Sequence, residues 1–445
     1  MTKASVRDCR VARSRRAIGN AGRSALGLLT VLIVGSSHPD AQAQTPSPRQ
    51  AQAQSPADTQ TQPLSLRKIV RYAIDNYPSV IAAQADRQIA SFNINRARGK
   101  HYPVVDVAGA QRLRGDSTNQ FGPRIRMNVW ASGAIEAEIE RETWREQSLA
   151  SVSLQTREEV AFDVVTAYLD LLGAIGQEKV ARQNLERHQA LVEDFREIAR
   201  IDKGRRFDLV QSLARMSQVQ FSLAQRQSDI IRGREVLSRF YPFPFDPARL
   251  REPAALSEPV GLSNARLQAV IDQHPSVLAA ANRLRAAEAN IKMAKGERGP
   301  RVDVETRTGA DSFSQLTFSW PAFDLAAGAT EDAAVAGLSS AKASLDEQQR
   351  LVAEEQKIAW ENYKSARERE TIASGQVDIA KQLVTVYREQ FGIGRRNLLD
   401  LLNAYAELAN AESSTHGSRI EALLARHQME YSAGRLSLLF VERTR

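Results

Sequence analysis

Polar and apolar positions alternate without a fault along Arg124-Ile125-Arg126-Met127-Asn128-Val129-Trp130 and again along Gln315-Leu316-Thr317-Phe318-Ser319-Trp320. Val302, Val304, Thr306 and Thr308 interleave in the same way with Asp303, Glu305 and Arg307. A looser fourth segment sets Val105, Val107 and Leu113 against Asp106. A period of two marks a strand with two unlike faces. Elsewhere the spacing changes to three and four, as in Leu185, His188, Val192, Phe195 and Ala199, or Leu398, Leu402, Tyr405 and Ala409. Set among charges and alanines, such stripes predict helices that pack along one another. The pattern predicts opening helices over 66–99 and 263–296, each after a serine (Ser65, Ser263) suited to cap it, and each stopped by Gly and Pro. Very long helical stretches over about 135–200 and 330–391 follow, then last helices over 207–240 and 397–440.

The chain is written twice. Asp75-Asn76-Tyr77-Pro78-Ser79-Val80-Ile81-Ala82-Ala83 recurs as Asp272-Gln273-His274-Pro275-Ser276-Val277-Leu278-Ala279-Ala280. The same register pairs Asn93-Ile94 with Asn290-Ile291, Gly99 with Gly296, and Pro103-Val104-Val105-Asp106-Val107 with Pro300-Arg301-Val302-Asp303-Val304. Two similar amphipathic helices would not share the Pro, the Gly and the Val-Asp-Val. The expected organisation is a first repeat over 65–240, a linker over 241–261 and a second repeat over 262–440.

About 65 helical residues extend roughly 100 Å at 1.5 Å each, longer than a compact domain, so these helices pack in a coiled-coil array. A dimeric rod would satisfy the helices alone, and a half-exposed soluble sheet would satisfy any one strand. Four such strands beside uncovered helices in an exported chain instead fit tilted membrane strands. Four cannot close a barrel and open edges are not tolerated in lipid, so closure needs several copies, twelve strands from three chains or eight from two. Ile125, Met127, Val129, Leu316, Phe318 and Trp320 then face lipid. Arg124, Arg126, Asn128, Asp303, Glu305, Arg307, Gln315 and Thr317 line the lumen. Trp130, Trp320, Tyr102 and Phe323 are candidates for interfacial girdles, and 115–123 and 311–314 for the outer loops.

The first 43 residues read as a secretory signal peptide: seven Lys/Arg, a short apolar core from Ala25 to Gly35, and Ala41-Gln42-Ala43 as the cleavage pattern. Ser14-Arg15-Arg16 hints at the twin-arginine route, but a membrane-inserted product must travel unfolded, which favours Sec export. Removing the leader lowers the formal net charge from +8 to +3 and takes away the sole cysteine, Cys9. The basic balance is therefore largely the signal, so a nucleic-acid partner loses its main support. Disulfides, thiolate metal sites and a cysteine-linked lipid are excluded. Residues 44–64, rich in Gln, Ala, Ser and Pro, read as a disordered linker. After the leader no run of eighteen apolar residues occurs, so any membrane crossing is by strands.

With duplication, strand pairs and long helices together, the chain resembles the TolC family of outer-membrane efflux and secretion channels over essentially all of 64–440. The likeness is carried by the repeated Asn/Gln-x-Pro-Ser-Val helix start, by the strand exit Trp320-Pro321-Ala322-Phe323-Asp324, and by Gly394-x-Arg396-x-x-x-Asp400-Leu-Leu-Asn-Ala404, similar to the family's periplasmic-tip helix start. The first repeat departs from it: Gly204 to Asp208 is two residues shorter, and Val129-Trp130-Ala131 lacks the proline.

The resemblance implies a mainly α fold with a small β part. A duplicated coiled-coil tunnel and four strands per chain would share a 12-stranded barrel in a homotrimer, located in the outer membrane and reaching into the periplasm. It implies an exit duct for drug efflux or type I protein secretion, with an inner-membrane pump of RND or ABC type, a periplasmic adaptor and outer-membrane lipid as partners. At the tip it implies a gate at which Arg396, Asp400 and Asp208 match an arginine and aspartates. Phe391 replaces a tyrosine and Asn403 a second acidic ring. Charges at a constriction act in a lowered dielectric, and Arg396 is expected to pair with an acid on a neighbouring helix and hold the tip shut.

Catalytic patterns are scarce. Six histidines are scattered, and the chain has no His-Glu-x-x-His, Gly-x-Ser-x-Gly or phosphate loop. Gly392-Ile393-Gly394 follows a helix rather than a strand, and Glu136, Glu138 and Glu140 share no helix face. No enzyme, cofactor or metal role is expected. The competing reading is a periplasmic coiled-coil adaptor or structural rod, for which one helical hairpin flanked by soluble β domains would be expected rather than a duplicated pattern.

Overall fold

The structure is a computed structural model that describes residues 64–111, 119–254, 256, 258–259, 261–308, 312–321 and 324–441. The signal peptide, nearly all of the 44–64 linker, Leu113, Phe323 and parts of both expected outer loops lie outside the described residues. The elements come in the same order twice. First are α1 (Leu66–Asn76), α2 (Pro78–Gly99), β1 (Val104–Gln111), β2 (Asn119–Trp130), α3 (Ala134–Ile201) and α4 (Arg206–Ser238). Then come α5 (Asn264–Gln273), α6 (Pro275–Glu297), β3 (Arg301–Arg307), β4 (Phe313–Ser319), α7 (Leu325–Gly392), α8 (Leu398–Ser432) and a short α9 (Leu436–Val441). The fold is mainly helical with one small sheet.

Each opening helix is two helices, not the single one expected. Pro78 and Pro275 lack an N–H and clash with the preceding turn, so Tyr77 (ψ 136°) and His274 (ψ 132°) turn extended and a new helix begins at each proline. Ser263 caps as expected, accepting from the Arg266 N–H at 3.3 Å. Ser65 occupies the cap position without a side-chain cap bond. The last helix stops at Ser432 before Gly434, whose left-handed φ of 64° separates α9.

The two long helices have 68 residues each, about 100 Å at 1.5 Å per residue. α3 is the hub, packed by α1, α2, α4, α6 and α8, whereas α7 packs chiefly along α6 and α8 and more briefly on α5. Around the middle of α3 lies the main core. Ile69, Val70 and Ile74 of α1, Val164, Tyr168 and Leu171 of α3, and Leu237, Phe240, Leu436 and Phe440 are buried together. Here the Tyr168 hydroxyl donates to the Arg251 carbonyl (2.6 Å) and accepts from the Arg251 N–H (3.1 Å), with the Leu64 carbonyl also at 3.1 Å. Burial pushes the phenol pKa up to about 12. This one oxygen ties the chain start and the segment between the halves to α3. Tyr168→Phe keeps the ring packing but strands buried backbone groups, a loss of about 1–3 kcal/mol. The expected result is a lower unfolding temperature and faster protease nicking near Arg251.

The sheet has the order β1-β2-β3-β4, antiparallel throughout. β2 begins at Asn119 and β4 at Phe313, so residues 119–123 and 313–314, expected in the outer loops, are strand. Pro123 is accommodated because its carbonyl still accepts the Thr308 N–H at 3.0 Å. Trp320 lies just past the end of β4.

The two exits from sheet to long helix differ as the two repeats do. After β4, the Asp324 carboxylate caps α7, accepting from the Ala326 N–H at 2.8 Å and the Ala327 N–H at 3.2 Å. After β2, where the proline is missing, the chain turns through left-handed backbone at Ser132 (φ 52°) and Gly133 (φ 78°). Among the described residues no helix is long and apolar enough to cross a membrane.

Candidate functional site: a two-faced sheet and a basic helical tip

Register sorts the alternating residues onto two faces. On one, Val105 lies opposite Ile125 and Ile125 opposite Thr306, Met127 opposite Val304 and Val304 opposite Leu316, Val302 opposite Phe318. The pairing skips Val129 in a bulge and sets Trp130 opposite Val302. Ile125, Met127, Val129, Leu316, Phe318, Trp320, Trp130 and Tyr102 are all exposed large hydrophobic residues in the single chain. An apolar sheet face left bare needs a non-aqueous neighbour.

The other face gathers the charges. Asp106 lies opposite Arg124 and Arg124 opposite Arg307, Arg126 opposite Glu305 and Glu305 opposite Gln315, Asn128 opposite Asp303 and Asp303 opposite Thr317. Unlike charges directly across strands attract. Arg124 Nε donates to Asp106 Oδ1 at 3.3 Å and Asn128 Nδ2 to Asp303 Oδ1 at 2.8 Å. Glu305 lies 3.8 Å from Arg124 and 3.7 Å from Arg307. All six charged or amide residues singled out from the alternation therefore share this face. Asp106, set on the polar side of the looser segment but not counted among the lumen residues, joins them through the β1–β2 register, which sets it against Arg124. A groove of about 620 Å³ continues from this face to the start of α3, lined by Arg126, Asn128, Asp303, Glu305, Lys100 and Glu138, the last two forming an ion pair.

At the opposite end of the long helices, α3 turns into α4 through a 3-10 turn (Lys203–Arg205), and α7 into α8 through residues 393–397. One apolar cluster holds both reversals together: Leu191 and Phe195 of α3 with Leu398, Leu401, Leu402 and Tyr405 of α8. Phe391 packs on Phe195, ring centroids 5.5 Å apart. His188 in the same region is buried, which lowers its pKa and favours the neutral imidazole.

The structure places the five expected gate residues at this tip but not in one latch. Arg396 is 3.6 Å from Asp400, donates through Nε to Gln390 Oε1 at 3.0 Å, and stacks its guanidinium 4.4 Å from the Tyr387 ring centre. Its acid partner within the chain is thus four residues ahead, in the first turn of α8. Asp208 pairs separately with Arg205 at 3.1 Å. Both aspartates sit in first turns, where the helix dipole favours negative charge. Asn403 is exposed on α8. Tyr387, one turn before Phe391, was missed because the motif directs attention to position 391; it gives Arg396 a ring face.

Two helices also keep apolar rows with no cover among the described residues. On α4, Phe207, Val210, Ala214, Ser217, Phe221, Ala224, Ser228 and Ile231 recur at alternating spacings of three and four and are all exposed. On α7, Leu351, Ile358, Ser365, Ile372, Ile379 and Val386 recur every seventh residue and are also exposed.

A model of the family Outer membrane efflux protein matches residues 267–435. No curated protein sequence matches the chain. Solved structures share its fold. The outer-membrane channel OprN superposes with a TM-score of 0.72 at 22% identity, covering 83% of this chain and 90% of that one. The outer membrane protein VceC of Vibrio cholerae gives 0.70 at 16% identity, covering 83% and 96%. The open state of the MtrE outer membrane channel of Neisseria gonorrhoeae gives 0.69 at 14% identity, covering 83% and 89%. The chain therefore has the fold of the TolC-type outer-membrane channels and carries an outer membrane efflux protein domain over residues 267–435.

Proposed function

We propose that three copies of this chain form an exit duct in the outer membrane, a 12-stranded barrel continuous with a helical tunnel in the periplasm. The observation that carries this is the open four-stranded sheet, bare and apolar on one face, charged on the other, at one end of 68-residue helices. In lipid its two edge strands need hydrogen-bond partners, and β4 of one copy against β1 of the next supplies them. The same arrangement brings the exposed row of α4 beside that of α7 of a neighbour. The apolar face meets lipid, and Arg124, Arg126, Asn128, Asp303, Glu305 and Arg307 line the water-filled lumen. Substrates are drugs or secreted polypeptide, moved by an inner-membrane pump of RND or ABC type through a periplasmic adaptor that meets the tip. The duct itself catalyses nothing.

The test combines location, assembly and conductance. The protein is expected in the outer-membrane fraction as a trimer-sized band that collapses on heating, and its purified trimer is expected to conduct ions in planar lipid bilayers. Recovery as a soluble periplasmic monomer would sink the proposal. Arg396→Ala removes the contacts to Asp400, Gln390 and Tyr387, and is expected to raise single-channel conductance by loosening the tip. Unchanged conductance would show that Arg396 holds only its own turn.

A further inference from the structure

The charge of the chain is not spread evenly. Over the two tip reversals with two helical turns on each side, residues 195–212 and 386–404, there are eight basic side chains and five acidic ones, net +3. Residues 44–445 together carry 53 basic and 50 acidic side chains, also net +3. The remainder of that stretch is thus neutral, and its whole excess positive charge sits at one end of a helix bundle about 100 Å long.

Most of the acids at the tip are already engaged. Glu197 is 3.1 Å from Arg200, Asp208 3.1 Å from Arg205, and Asp400 3.6 Å from Arg396. Asp202 accepts the Gly204 N–H at 2.9 Å. Lys203, Arg206, Arg388 and Arg395 are exposed and have no carboxylate partner among the described residues. They stand in both reversals, which the Phe195–Phe391 and Leu398–Leu402 packing holds side by side. Beside them α8 presents Asn403, an exposed and uncharged amide.

We infer that the tunnel's periplasmic entrance is an electropositive ring that admits anionic solutes in preference to cations. This rests on the trimeric-duct reading, in which three copies bring an excess of +9 around one aperture. At physiological salt such a field reaches only about 8 Å, so it acts at a narrow entrance and not along the tunnel. Rings of Arg and Lys select anions in this way, and the low-dielectric walls of a constriction focus the field. The sheet's charged face has a smaller bias, with Arg124, Arg126, Arg301 and Arg307 against Asp106, Asp303 and Glu305. Selectivity is therefore set at the tip, and the favoured small-molecule cargo is negatively charged.

The experiment is the reversal potential of the purified full-length trimer in a planar bilayer under a potassium chloride gradient. The wild-type channel is expected to reverse on the chloride side of zero. The triple variant Lys203→Gln, Arg206→Gln, Arg395→Gln should shift this toward zero or beyond, whereas Arg126→Gln on the sheet should leave the sign unchanged. A cation-selective wild type, or a preference that follows Arg126 rather than the tip, overturns the inference while leaving the duct standing. Should the trimer fail to conduct at all, the duct reading fails and takes this inference with it.

Discussion

The double variant Ile372→Glu, Ile379→Glu is expected to leave no heat-modifiable trimer and no bilayer conductance, although each chain keeps its own fold. α7 carries two rows of seventh residues. Val352, Ala359, Ala366, Ala373 and Ala380 are buried, Ala359 beside Met429 and Ala380 beside Leu408 of α8. The row one residue earlier, with Ile379 69% exposed, is turned about 100° round the helix and has no cover among the described residues. A seven-residue repeat kept for about four turns before Ser365 and six after it is the pattern of a supercoiled seam. In the proposed trimer the exposed row of α4, with Phe221 65% exposed, is the complementary surface. Burying one isoleucine stabilises by about 1.5–3 kcal/mol, so losing two at each of three seams removes about 9–18 kcal/mol, and six carboxylates facing apolar rows add to the loss. Ser374→Glu with Lys381→Glu, exposed positions off the seam, should keep the trimer. A trimer band of normal heat stability in the isoleucine variant would show that α7 meets no neighbour there.

The strongest sequence signals were those repeated over many residues. The stretch expected over 135–200 is α3 (Ala134–Ile201), and that over 330–391 is α7 (Leu325–Gly392), because a sustained three-four spacing leaves little freedom. Alternation likewise sorted Ile125 from Arg126 and Leu316 from Gln315, since each strand residue flips face. Local punctuation was less readable. Asn119 to Pro123 looks like a turn, yet it is strand because its partners 107–111 and Thr308 lie elsewhere in the chain. Pro78 reads as a good helix starter, which hid that a helix must first end at Asn76. At the candidate site, residue types were legible but pairings were not. That Asp106 meets Arg124, and that Tyr387 lies under Arg396, depends on register and on the turn at 393–397. The exposed row on α7 was open to view in the sequence, but a period of seven does not say whether the chain or another copy covers it.

Gly296→Ala and Gly99→Ala occupy the same place in the two repeats and are expected to have opposite effects. A Cβ at 296 would lie 2.7 Å from the Ala134 nitrogen, 2.9 Å from its Cα and 2.9 Å from the Ser132 carbonyl oxygen. All three are backbone atoms of the turn between β2 and α3, so no side chain can swing aside. That turn is fixed by left-handed backbone at Ser132 and Gly133, and by the Ser132 hydroxyl donating to the Pro300 carbonyl at 2.6 Å. Gly296 thus lets α6 approach the point where sheet becomes long helix, and filling it forces the two apart at a cost of about 3 kcal/mol. At Gly99 nothing lies within 4 Å of the added carbon. There alanine only improves helix propensity, an effect between neutral and about 1 kcal/mol of gain. The temperature at which the trimer band converts to monomer is expected to fall clearly for Gly296→Ala and to hold or rise slightly for Gly99→Ala. Equal shifts in the two variants would mean that the glycines serve the duplication alike, and that the β2–α3 junction is not the packed hinge described above.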